Sequence, residues 1–234
     1  MKKFTYFHGT STLFLPSIKK NGLGFINPSI DHKNIDLLKH LFNILESTKF
    51  KQNICSQYFR EVTLAMIKQT SLVINDNREL KELNFKHQNI YVSLSEFRAI
   101  VYATQNKLGS EVLQRCLDIY NLLKSNDIDF SIPEELNFYR IESIQKKEIK
   151  PILLEINTIN DENLFQENNY EAAPFLRMLR KVFSSLTEEQ KFTNFQYMNF
   201  GIKTPINVEI IKAYSIEYSG KIEKRNFKYA LIEI

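Results

Sequence analysis

Pro151-Ile152-Leu153-Leu154-Glu155-Ile156 is a nearly continuous apolar run, opened by a proline and too short for a core helix. A run of this kind reads as a buried strand, so the chain must supply a sheet beside it. The later stretches Phe195 to Ile202, Val208 to Tyr218 and Phe227 to Ile234 are strand-rich as well. Upstream, the aromatic segment Lys3 to His8 reads as a strand ending at Gly9, and Asn89 to Leu94 as another. Helices fall elsewhere. Pro16 to Asn21 is stopped by Gly22, Ser95 caps a helix through Ala99, Tyr102 and Ala103, and Glu111 to Ser125 and Pro174 to Ser185 follow. Between about 31 and 71 two helical stripes occur, Ile35, Leu38, Leu41, Phe42 and Leu45, then Tyr58, Val62, Ala65 and Met66. Asp127 to Lys150 reads as irregular. Strands and helices cluster instead of alternating, which favours an α+β fold with a split, mostly antiparallel sheet. The expected organisation is one domain over residues 1–234 with a helical insertion at about 31–71, packed outside the sheet core as a lid or platform.

Composition narrows the function classes. With 43% apolar residues in 234, and only six Gly and six Pro, the chain buries a core and is neither disordered nor collagen-like. No apolar run approaches the roughly 20 residues that cross a bilayer. The start, Met1-Lys2-Lys3-Phe4, is basic but its apolar stretch breaks at once, unlike a secretory signal. The net charge is +4. Its densest basic stretches, Lys146-Lys147-Glu148-Ile149-Lys150 and Lys221 to Lys228, are diluted by Glu and read as solvated faces. Cys55 and Cys116 fit no CxxC spacing, and His8, His32, His40 and His87 are scattered, so no metal site is expected. Two ordinary thiols suit a reducing, cytoplasmic setting.

Two places carry chemistry. Phe7-His8-Gly9-Thr10-Ser11 is a strand that delivers an imidazole and then a residue without Cβ, which lets a ligand approach the backbone. Asn89-Ile90-Tyr91-Val92-Ser93 is a strand followed by a helix carrying Tyr102, so two rings can flank one pocket and suit a flat aromatic ligand. Singly, each has a plainer reading: a satisfied histidine at a strand end, and core aromatics.

Together the segments resemble the ADP-ribosyltransferase superfamily, in its His-Tyr-Glu branch related to diphtheria toxin and the poly(ADP-ribose) polymerases. The first motif, a strand with His-Gly-Thr and a short helix ending in Gly-Leu, is matched by His8-Gly9-Thr10 and Gly22-Leu23. The second, a Tyr strand and a helix with Ala-x-x-Tyr-Ala, is matched by Tyr91-Val92-Ser93 and Ala99-Ile100-Val101-Tyr102-Ala103. The resemblance covers 3–24 and 89–105, and the C-terminal strands loosely. It implies NAD as co-substrate. His8 would hold the nicotinamide-side ribose, the Gly9 backbone would read the carboxamide, and Tyr91 and Tyr102 would sandwich the ring, with Thr10 and Ser93 as further NAD contacts. The implied reaction cleaves the nicotinamide N-glycosidic bond and passes ADP-ribose to a macromolecular acceptor, protein or nucleic acid.

The family's third residue, Glu, has no counterpart here. Counting back from Ile206 lands between Gln196 and Asn199, where no carboxylate stands, and the nearest acids are Glu188 and Glu189 in a stretch that reads as a helix end. Gln196 is the choice for the position, with Asn199 and Glu189 as alternatives, which disfavours poly(ADP-ribose) chain extension. Two rival functions follow: a catalytically silent NAD- or ADP-ribose-binding module, and a tRNA 2′-phosphotransferase-like enzyme. The second shares the His-Gly-Thr opening but has His where this chain has Tyr91. Usage rich in Lys, Asn and Ile hints at an AT-rich, bacterial genome, and a toxin, defence or delivered-effector role stays open.

Overall fold

The computed structural model describes residues 3–48, 55–76, 79–222 and 224–234. Met1-Lys2, residues 49–54 of the 31–71 stretch and Glu223 of the basic tail lie outside the described residues. In chain order the first elements are β1 (Tyr6–Ser11), α1 (Leu15–Asn21), α2 (Pro28–Asp31), α3 (Asn34–Ser47), α4 (Gln57–Lys68), β2 (Ser71–Asp76) and β3 (Glu79–Asn84). Then come β4 (Tyr91–Ser93), α5 (Glu96–Gln105), α6 (Glu111–Ser125), α7 (Ile141–Ile144), β5 (Pro151–Ile156) and β6 (Leu164–Gln166). The chain closes with α8 (Ala172–Val182), α9 (Glu188–Phe195), β7 (Asn199–Ile202), β8 (Ile211–Ser219) and β9 (Lys228–Glu233). These form two compact units, one of Met1–Ile26, Asn89–Gly109 and Ile149–Ile234, the other of Asn27–Gln88 and Ser110–Glu148.

The first unit is built on a seven-stranded sheet in the order β6-β7-β4-β1-β5-β8-β9, every neighbouring pair antiparallel. The class is α+β. β5 sits between β1 and β8, and Ile152, Leu153, Leu154 and Ile156 are wholly buried, as the unbroken apolar run requires. Helix α5 lays Ala99, Ile100 and Ala103 on this sheet against Leu153 and Ile216. Its small residues allow a close approach. The seven strands make one hydrogen-bonded series, so the split expected from the sequence is confined to the seam between β1 and β4. There a single registered pair, Phe7 with Ser93, holds the two halves together.

Strand β1 does not stop at Gly9 but continues to Ser11, because β5 pairs it as far as Ser11 with Pro151. Similarly, Val208–Ile210 is a 3-10 turn before β8, and Phe195 to Ile202 divides into the end of α9 and the four residues of β7. Proximity to a helix end overrides the aromatic content there. Asp127 to Lys150 is mostly irregular, with one short 3-10 turn and α7, and Lys146, Lys147 and Lys150 are exposed.

The second unit is helical. α3 buries Leu37, Leu38, Leu41, Phe42 and Leu45, and α6 buries Val112, Leu113, Cys116, Leu117, Ile119 and Leu123, giving two amphipathic faces that pack together. α4 buries Val62, Ala65 and Met66, whereas Tyr58, one turn before Val62 in the expected stripe, is 52% exposed. The unit also contains the β2–β3 hairpin, registered from Ser71 with Asn84 to Asp76 with Glu79. This hairpin follows directly on the two helices read as an insertion.

Candidate functional site

The site grows out of the seam in the sheet. Even-numbered residues of β1 face β5, the pattern continuing with the Thr12 N–H donating to the Lys150 carbonyl at 2.9 Å. Even-numbered residues of β4 face β7, since Ile202 donates to Ile90 at 3.0 Å and Leu94 to Met198 at 3.1 Å. The odd residues of both strands therefore turn their amides toward one another. Phe7 and Ser93 pair. The next pair in that register would be Gly9 with Tyr91, and it is not formed.

His8 takes its place. The Tyr91 carbonyl, which would have served the ladder, lies 2.7 Å from His8 Nδ1. A carbonyl only accepts, so Nδ1 carries the proton, and Nε2 keeps its lone pair. Burial holds the imidazole below its usual range, against the opposing pull of the Tyr91 carbonyl, which favours the neutral ring in this role. The seam thus presents an acceptor nitrogen beside a stretch of strand edge relieved of its ladder pair. Gly9 is buried, and buried backbone amides ordinarily find partners.

Gly9 has a second reason to be glycine. A Cβ built there would stand 2.0 Å from the Ala99 carbonyl oxygen and 3.2 Å from the Ala103 Cβ, so α5 occupies the side-chain direction. Its amide groups lie in the sheet plane and are not spent on that contact. Tyr102 sits one residue before Ala103 on the same helix and is half-buried.

Tyr91 is half-buried, with Phe165 of β6 edge-on to its ring at 6.2 Å between centroids. Phe165, Gly201 and Tyr91 stand in register across β6, β7 and β4. Phe165 reaches Tyr91 because Gly201 has no Cβ, which would otherwise meet the Phe165 ring at 2.0 Å. Burial raises the Tyr91 hydroxyl pKa, a hydrogen bond from Asn89 lowers it, and the Glu167 carboxylate raises it.

The other expected contacts are placed as follows. Thr10 is buried and its hydroxyl donates to the Gly109 carbonyl at 3.3 Å. Ser93 is buried too, accepting from the Ser95 N–H at 3.1 Å and donating to the Met198 carbonyl at 3.5 Å. Both hydroxyls secure the turns around the seam. Gln196 lies at the C-terminal end of α9 and folds back on its own helix, Nε2 donating to the Phe192 carbonyl at 3.2 Å. Asn199 opens β7 directly opposite Ser93. Glu189 is in the first turn of α9, on exposed surface.

Neither Phe165 nor Glu167 belongs to any motif of the sequence. β6 is three residues long, too short for periodicity to register. The available signal is the turn pair Asn168-Asn169, of which Asn169 adopts φ +68°. Among the described residues no group of His, Cys, Asp and Glu could hold a metal ion, and no helix is long and apolar enough to cross a membrane. Comparison of the chain with family models, with curated proteins and with solved structures gives no match.

Proposed function

We propose that this chain is an NAD-dependent mono-ADP-ribosyltransferase, with the ADP-ribosyltransferase type of fold, that cleaves the nicotinamide N-glycosidic bond and transfers ADP-ribose to a macromolecular acceptor. The observation that carries this reading is the unformed Gly9–Tyr91 pair, with His8 on the Tyr91 carbonyl in its stead. An amide-bearing flat ring such as nicotinamide fits an edge of this kind, because its carboxamide can satisfy a backbone donor and acceptor together. The Tyr91 ring, backed by Phe165, offers it a stacking face, and Tyr102 on α5 is the partner expected opposite. The bare His8 Nε2 suits a ribose hydroxyl, which donates to it and is thereby oriented.

The absence of a carboxylate at both Gln196 and Asn199 favours a second reading, a module that binds NAD or ADP-ribose without turning it over. Incubation with NAD labelled in the adenylate part and a cell lysate separates the two. Transfer of label to protein or nucleic acid is expected for wild type. Tyr91→Ala should weaken NAD binding several-fold, about 1 kcal/mol of lost ring packing. His8→Ala should lower turnover more than binding. NAD turnover that is equal in wild type and both variants would overturn the enzyme reading.

A further inference from the structure

We propose that Glu167 supplies the carboxylate of this site from β6, with Asn199 as the residue that positions it. The inference rests on the NAD reading above and extends it to a residue outside the resemblance. Asn199 stands opposite Ser93, two residues along β7 from Gly201, the residue opposite Tyr91. Extending the β6–β7 register past Gln166 with Phe200 brings Glu167 opposite Asn199. There the Asn199 Nδ2 donates to Glu167 Oε1 at 3.0 Å. Glu167 is the first residue past β6, and its bond to Asn199, which shares a face of β7 with Gly201, keeps the carboxylate on the side of the sheet that carries Phe165 and Tyr91.

The turn after β6 holds this placement. The Asn169 N–H donates to the Gln166 carbonyl at 2.8 Å, the Gln166 N–H to the Tyr170 carbonyl at 2.8 Å, and Gln166 Nε2 to the Glu171 carbonyl at 3.2 Å. Glu167 is thus fixed at the second position of a tight turn, exposed to solvent and tied through its carboxylate to the strand next to Tyr91. The influence of its charge on the Tyr91 hydroxyl places it within electrostatic reach of the same ring.

The chemistry asks for an anion here. As the bond between the ribose anomeric carbon and the nicotinamide nitrogen breaks, its electron pair leaves with nicotinamide, which becomes neutral. The positive charge passes to the ribose carbon and ring oxygen. A nucleophilic oxygen of water or acceptor then forms the new bond to that carbon and gives up its proton to solvent. A fixed carboxylate beside the ribose stabilises the charge while it is on the sugar. It also favours the cationic nicotinamide ring over an uncharged one.

The test uses the full chain and five proteins: wild type, Glu167→Gln, Asn199→Ala, the double variant Glu167→Gln/Asn199→Glu, which moves the carboxylate one strand over, and His8→Ala as the control for the NAD reading. Glu167 is exposed and Asn199 half-buried, so the fold should be retained. NAD glycohydrolysis should drop about tenfold or more in Glu167→Gln, and less in Asn199→Ala, with NAD affinity falling less than turnover in both. The double variant should regain turnover. A second readout needs no turnover: the preference for NAD over NADH in direct binding, which should shrink several-fold in Glu167→Gln because only NAD carries the ring charge. Wild-type turnover and wild-type preference in Glu167→Gln, alongside a clear loss in His8→Ala, would overturn the role of Glu167 and leave the NAD reading intact. A wild-type chain that binds NAD but never cleaves it would overturn the catalytic role as well. A wild-type chain that binds neither nucleotide would overturn both.

Discussion

At the scale of single residues, Gly9 serves two demands on perpendicular axes. Its missing side chain admits α5, with the Ala99 oxygen where a Cβ would be, while its amide groups lie in the sheet plane at the opened seam. The two can be separated experimentally. Gly9→Ala forces backbone atoms apart, because the obstructing atom is a helix carbonyl and not the far end of a flexible side chain. Overpacking of this kind should cost about 3 kcal/mol, seen as a lower urea midpoint with an unchanged slope. An unchanged midpoint would show that α5 can yield. His8 and Tyr91 were legible in the sequence as chemistry-bearing types after short strands. That His8 bonds the backbone of Tyr91, and not its ring, was not, since the bond spans 83 residues of chain.

Among elements, the short ones matter most. β4 and β6 have three residues each and exist through their pairing with β7. α9 is the opposite case, begun by local chemistry and held to its surroundings by the Phe192 ring on Phe97 and the Phe195 ring on Phe183. Thr187 accepts from the Gln190 N–H at 3.1 Å while Gln190 Oε1 accepts from the Thr187 N–H at 2.9 Å, a reciprocal cap. The spacing Thr187-Glu188-Glu189-Gln190 was in the sequence, and it marks a helix start where the charges suggested an end. Since α9 has no buried residue and rests on these ring contacts, the cap is a large share of what holds its first turn. Thr187→Ala should cost about 1 kcal/mol locally. Amide exchange of residues 191–195 should then speed up about fivefold while the global unfolding midpoint hardly moves. A fall in the global midpoint instead would mean that α9 unfolds only with the whole chain.

For the molecule as a whole, pH is the most direct probe of how much imidazole the fold hides. Burial lowers the pKa of His87 from 6.5 to about 4, and lowers those of His8 and His32 as well. His87 Nε2 is buried without a hydrogen-bond partner and lies 3.8 Å from the Glu111 carboxylate. The unfolded chain binds these protons near pH 6.5, and the folded chain only at lower pH. Stability is therefore fully present above 6.5 and is lost as pH falls through the folded values, down to about 4 for His87. Chemical unfolding at a series of pH values should show this decline between 6.5 and 4, and His87→Gln should flatten it. A decline of equal slope in that variant would assign it to other groups.

What the sequence determined by itself is whatever short-range chemistry enforces. The unbroken apolar run became the buried β5, the 3.6-residue stripes of α3 and α6 became buried faces, and Ser95 capped α5 as its type allows, accepting from the Arg98 N–H at 3.1 Å. Gly22 likewise ended α1. Only the tertiary structure decided what depends on strand neighbours far apart in the chain. Side-by-side placement of β1 and β4 opened the Gly9–Tyr91 seam, Gly201 let Phe165 reach Tyr91, and pairing of β6 with β7 set Glu167 against Asn199, while Gln196 bonds back to its own helix. The reason is one of range. Helical periodicity and caps act over three or four residues, whereas a sheet site is made by residues whose register is fixed only when distant strands meet.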